Sequence, residues 1–168
     1  KPDFVHAPEQ FQQWRKNRSA RLKTATFEVE YVGFPADNQA KNAFQFAVDI
    51  WETQLISPVT IRVRAQWGSL DAGVLGQAIW GSAFANFDGA QHLNTYYPVA
   101  LAEKITRTDL NATTEPDIVA TFNSSTNWYL GTDGNVPSGR MDLVTIVLHE
   151  IAHGLGFVDT YDGADAQG

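Results

Sequence analysis

The chain has 168 residues, 43% of them apolar and 18% charged, which suits one domain with a hydrophobic core rather than a disordered segment. A net charge of −7 and a pI of about 4.9 argue against nucleic acid as a partner, since no basic stripe is available to displace counterions from phosphate. Cysteine is absent, which excludes disulfides, thiolate catalysis and Cys-ligated zinc, and no apolar run approaches the ~18 residues of a membrane span.

Residues 1–23 hold Pro2, Pro8 and the basic cluster Arg15, Lys16, Arg18, Arg21 and Lys23. They read as a leader segment lying over the domain surface, with a short helix over Glu9 to Asn17 docked through Phe11 and Trp14. The chain opens on Lys1 rather than Met, as expected of a piece of a longer precursor. From Thr26 to Val32 apolar and polar residues alternate, which predicts a strand with Phe27, Val29 and Tyr31 on one face. A helical stripe follows at Ala43, Phe44, Ala47, Val48, Trp51 and Leu55, stopped by Pro58. Thr60 to Trp67 alternates again, so a strand–helix–strand unit with parallel strands is expected. Trp51 and Trp67 are assigned to the core.

Residues 68–98 are rich in Gly, Ala, Asn and aromatics, with a short strand expected at Gly76 to Trp80 and a loop or bulged edge from Ala83 to His92. A helix from Pro98 to Leu110 and a buried strand from Pro116 to Phe122 come next. Asn123 to Asn127 and Gly131 to Asn135 are turn material. Calcium at Asp133 and Asn135 is the weaker reading there, because the spacing is not that of an EF-hand loop. Asn17, Asn111 and Asn123 begin N-x-S/T triplets, which arise often by chance.

The stretch Asp142 to Asp159 carries the chemistry. Its centre, His149-Glu150-Ile-Ala-His153, reads H-E-x-x-H, and Gly156 follows. Asp142 suits a helix N-cap, Leu143 to Leu148 is apolar on nearly every face and predicts a buried helix, and Gly154 and Gly156 end it. Positions four apart on a helix lie almost above one another, so His149 and His153 aim two imidazoles at one point, a spacing that suits zinc, with Glu150 beside them as a base. This composition produces the string by chance about 2 times in 10,000. The competing reading, two core histidines satisfied by backbone groups, is the less favoured. His92 is a third candidate imidazole, for which a surface loop is favoured.

These residues resemble the signature of the metzincin clan of zinc metallopeptidases, H-E-x-x-H-x-x-G-x-x-H, with Asp in the last position in some families; here that position is Asp159. The resemblance implies an α+β, zincin-like fold over residues 24–168: a twisted mixed sheet of about four to five strands, a backing helix and a central zinc-binding helix. It also implies a sheet edge near Gly76 to Trp80 that pairs with an extended protein or peptide substrate. His149, His153 and Asp159 would be metal ligands, and Glu150 would take a proton from the zinc-bound water and pass it to the leaving amine. The His-Gly-Leu-Gly-Phe157 string is also similar to the leishmanolysin-type branch, whose third His follows a long insertion, so Asp159 and a later residue both stand as third ligand. The only methionine, Met141, precedes the helix, so the lower subdomain with its methionine turn is missing from this stretch. The expectation is a secreted zinc endopeptidase, or its upper catalytic portion working with a remaining C-terminal piece of the same precursor. A zinc-binding but catalytically incomplete domain is the alternative.

Overall fold

A computed structural model describes residues 22–158. In chain order these form β1 (Phe27–Val32), α1 (Gln39–Gln54), β2 (Ile61–Gly68), β3 (Gly76–Trp80), the short β4 (Ala83–Phe84) and β5 (Tyr97–Pro98), α2 (Val99–Thr106), β6 (Ile118–Asn123), the short β7 (Trp128–Tyr129) and β8 (Met141–Asp142), and α3 (Leu143–Gly154). The main sheet has the order β1-β2-β6-β3, with β1, β2 and β6 parallel and β3 antiparallel at the edge. The class is therefore mixed α+β. The leader helix expected at Glu9 to Asn17 lies outside the described residues.

Alternation along the strands decides which face is covered. Phe27, Ile61, Val63, Ala65, Ile118, Ala120 and Phe122 are buried on the side that carries α1 and α3. Glu28, Glu30, Arg62, Arg64, Gln66 and Thr121 alternate with them and point to the opposite, open face. Glu30 and Arg64 stand opposite each other across β1 and β2, and their side chains pair at 2.6 Å.

α1 presents Ala40, Ala43, Phe44, Ala47 and Val48 to the sheet, all at most 1% exposed. The three alanines let the helix lie close, and Phe44 fills the space between them. Its ring meets Tyr31, Phe34 and Phe122 edge-on at centroid distances of 5.5, 6.0 and 5.5 Å, the geometry favoured by aromatic quadrupoles. Trp67 packs against Phe34 and Trp128 as a core residue.

Two expected elements are shorter than their sequence pattern. The helix from Pro98 contracts to Val99–Thr106, because Arg107 turns left-handed at φ 61° and the Thr106 hydroxyl donates back to the Ala102 carbonyl. The strand expected from Pro116 starts at Ile118, since Asp117 uses its carboxylate, not only its backbone, on β2: Oδ2 accepts from the Arg62 N–H at 2.7 Å.

Three carboxylates are buried away from α3. Glu52 pairs with Lys23 at 2.5 Å and accepts from the Phe27 N–H, fastening the chain before β1 to the end of α1. Asp117 accepts from Arg62 and from Asn111 Nδ2 at 2.8 Å. Glu103 is 1% exposed and accepts the Leu110 N–H at 2.9 Å through one oxygen, while the second oxygen has no hydrogen-bond partner among the described residues. Burial pushes the Glu103 carboxyl up to about 7, against the pull of the Leu110 bond and with the help of Asp117 and Asp109. The folded chain thus holds a proton there that the unfolded chain has lost above the ordinary value of 4.5. The associated stability is present below that value and disappears as pH rises through about 7. Thermal melts of wild type and Glu103→Gln should show the variant gaining on wild type between about pH 5 and pH 8; parallel curves would contradict this assignment.

Candidate functional site

α3 begins where Asp142 accepts from the Thr145 N–H at 3.2 Å and the Thr145 hydroxyl at 2.5 Å, a side-chain N-cap. Leu143, Val144, Val147, Glu150, Ile151 and Gly154 face the sheet and α1 and are buried. Thr145 and His149 are exposed, and Ile146, Leu148 and His153 are half-buried. The helix is therefore sunk on one side only, and the expectation of burial all round is corrected. What draws it down is Gly154: a Cβ there would lie 2.3 Å from Cγ2 of the fully buried Ile118 on β6.

The helix ends in a turn that fixes one histidine. The Gly156 N–H donates to the His153 carbonyl and the Phe157 N–H to the Ala152 carbonyl, both at 3.0 Å, with Gly156 at φ 104°. This pair of bonds is a Schellman motif, and the left-handed residue in it favours glycine. The turn brings the Phe157 carbonyl to 2.8 Å from His153 Nδ1. A carbonyl only accepts, so Nδ1 carries the hydrogen and the neutral ring keeps its lone pair on Nε2. That Nε2 lies 2.9 Å from Nε2 of His149.

Glu150 sits on the buried face of the helix, 7% exposed, against the first residue of β3. Burial raises its carboxyl above the ordinary range, opposed by the charges of His149 and His153. Among the described residues β3 is also where the sheet ends. The Asn123 N–H donates to the Leu75 carbonyl and the Gly81 N–H to the Asp117 carbonyl, so the odd-numbered residues bond to β6. By alternation Gly76, Ala78 and Trp80 turn their N–H and C=O groups to the free edge, on the strand that α3 packs against.

The structure thus brings the rings of His149 and His153 together and places Glu150 on the buried face of the same helix. Asp159, the fourth expected member, lies outside the described residues. His92 is an exposed loop residue whose N–H donates to the Tyr97 hydroxyl. Asp133 spends its carboxylate inside its own loop, accepting from Tyr129 Oη and from the N–H and Nδ2 of Asn135; these bonds lower its pKa to about 2. Asn123, from one of the N-x-S/T triplets, is buried and donates to the Val74 carbonyl at 2.8 Å. Gly76, Gly154 and Phe157 were not singled out for the contacts they make; only the string of glycines around the helix end hinted at them.

The sequence signature of the SPBPB7E8-like family matches residues 44–166. Over 95 residues, or 56% of the chain, there is 35% identity to the uncharacterized protein PB7E8.01 of Schizosaccharomyces pombe, and the match covers 16% of that protein's length. No solved structure matches significantly. Neither the family nor this relative is described as a metallopeptidase, and no group of three or more His, Cys, Asp or Glu side chains is placed to hold a metal among the described residues. The resemblance to the metzincins is therefore corrected. It rested on one short helical string, and two imidazoles with a neighbouring carboxylate are a local device rather than a family mark.

The fit of Gly154 against Ile118 sets the height of the helix over the sheet. Gly154→Ala should destabilise the chain by about 1–3 kcal/mol through overpacking, and Ile118→Ala, which removes the Cγ and Cδ atoms that the new methyl would meet, should recover part of that loss in the double variant. Additive losses in denaturant melts would show that the two side chains do not meet.

Proposed function

This chain belongs to the SPBPB7E8-like family, and we propose that it is a zinc-dependent endopeptidase, or the part of one that carries the base and two of the metal ligands. The observation that carries the proposal is the facing pair of Nε2 atoms 2.9 Å apart, with the tautomer of His153 set by the Phe157 carbonyl. Two nitrogens bound to one tetrahedral zinc ion lie about 3.3 Å apart, so a small opening of the pair fits the metal. A backbone carbonyl on Nδ1 is also the usual outer partner of a metal-bound imidazole.

His149 and His153 would hold the ion, with a third donor from Asp159 or from elsewhere in the full protein. When bound, zinc supplies Lewis acidity that brings the deprotonation of water towards neutral pH. Glu150 stands one position along the helix from His149, about 100° around its axis, from where it would reach the attacking water without joining the ligands. Its carboxylate accepts the proton of the attacking water and returns it to the departing amine, and a raised affinity for protons suits both halves of that task. The outward N–H and C=O groups of Gly76, Ala78 and Trp80 offer an extended polypeptide a ladder of main-chain bonds beside Glu150. A zincin-like reading of the fold belongs with this proposal, supported by a mixed sheet packed against an H-E-x-x-H helix.

A zinc-binding but catalytically incomplete domain is the second reading, favoured by the finding of only two converging donors among the described residues. Glu150→Gln separates the two. In a peptidase it should lower kcat by about 10²–10⁴-fold on an unfolded protein substrate while zinc content by atomic absorption stays at wild-type level. His149→Ala and His153→Ala should each lose the metal. An unchanged zinc Kd in Asp159→Ala would remove that residue as a ligand. Gly156→Ala, which strains the turn that carries the Phe157 carbonyl, should weaken zinc binding by about 10–100-fold in competition with a chelator.

A further inference from the structure

Glu150 is held by contact rather than by bonds. Among the described residues no hydrogen bond reaches its carboxylate, in contrast to Glu52, Glu103 and Asp117, each of which accepts from a backbone N–H. What lies against it is Gly76. A Cβ at that position would stand 2.9 Å from Cγ of Glu150 and 3.2 Å from both Cδ and Oε1, and these three are the nearest atoms it would meet.

The backbone does not ask for glycine there. Gly33, Gly73, Gly89, Gly134, Gly139 and Gly156 have positive φ, and Gly76 does not. It sits in regular pairing with Phe122, where any L-residue fits and where glycine lowers strand stability. The missing side chain therefore makes room first of all for the Glu150 side chain, from Cγ to the carboxylate.

We infer that Gly76 is a positioning residue: its bare backbone is the wall that keeps the Glu150 carboxylate on the free-edge side of the helix. The inference rests on the peptidase reading for its consequence in catalysis, but the geometry it asserts is independent of activity. A methyl group at position 76 leaves Glu150 two choices, since separations below about 3 Å between carbon atoms are not tolerated. The carboxylate swings about its own side-chain torsions, or α3 lifts from β3; the first costs less because the chain end is flexible.

The test compares zinc-loaded wild type with Gly76→Ala by crystallography, melting and steady-state kinetics. The expected result is a Glu150 carboxylate displaced by about 1 Å or more, an unchanged zinc content and melting point, and kcat lowered by about 10–100-fold with KM little altered. A carboxylate that stays in place, or full kcat in the variant, overturns the inference. If wild type hydrolyses no peptide bond, the peptidase reading falls, while the crystal comparison still decides what Gly76 does. Should Gly76→Ala not fold, recovery of folding in Gly76→Ala/Glu150→Ala supports the contact, and a double variant that also fails to fold refutes it.

Discussion

The close approach of α3 to the sheet governs everything around it. Gly154 permits it at the last turn by leaving Ile118 undisturbed, and Gly76 permits it one turn earlier by leaving room for Glu150. Along the same face Leu143, Val144, Val147 and Ile151 are fully packed, so the helix has little freedom to rotate or rise. Once its azimuth is fixed, so is the direction of every residue on it. His149 and His153 emerge on the exposed side one turn apart, and Glu150 is directed at the sheet edge.

Apart from Glu103, the buried carboxylates divide into two kinds. Glu52 is tied to the Phe27 N–H and the Lys23 ammonium where the chain joins α1, and Asp117 to the Arg62 N–H and the Asn111 amide where β2 meets β6. Burial of a charge is tolerated there because each oxygen set has partners. Glu150 has none among the described residues, and its protonation is biased only by burial and by two neighbouring imidazoles. An ionisable group left without partners at the open edge of a sheet is costly as architecture, and intelligible where proton transfer is the task.

Much of this was legible in the sequence because the signals are periodic. The alternation of β1 and β2 and the alanine and phenylalanine stripe of α1 predict elements that the structure places within a residue or two. The two histidines and the glutamate were legible for the same reason, a spacing of four on a helix. What was not legible depends on contacts between distant segments. Nothing local in Gly76 announces that its neighbour is Glu150, 74 positions later. The one-sided burial of α3 was hidden by composition, since Leu148 and Ile146 look like core residues in a string. The family likeness failed differently: it extended a short helical string to a whole clan, and the third metal ligand it required falls outside the described residues.

The sheet itself is unequal in its two faces. Parallel strands are ordinarily sheltered on both sides, yet β1 and β2 turn Glu28, Glu30, Arg62 and Arg64 outward, with Glu30 and Arg64 joined across the strands. Covering that face with an apolar surface means stripping water from Glu28, Glu30 and Arg64, a penalty that a few methyl groups do not offset. Any association of this domain with a greasy neighbour is thereby steered elsewhere, to the helical side or to the unpaired rim of the sheet.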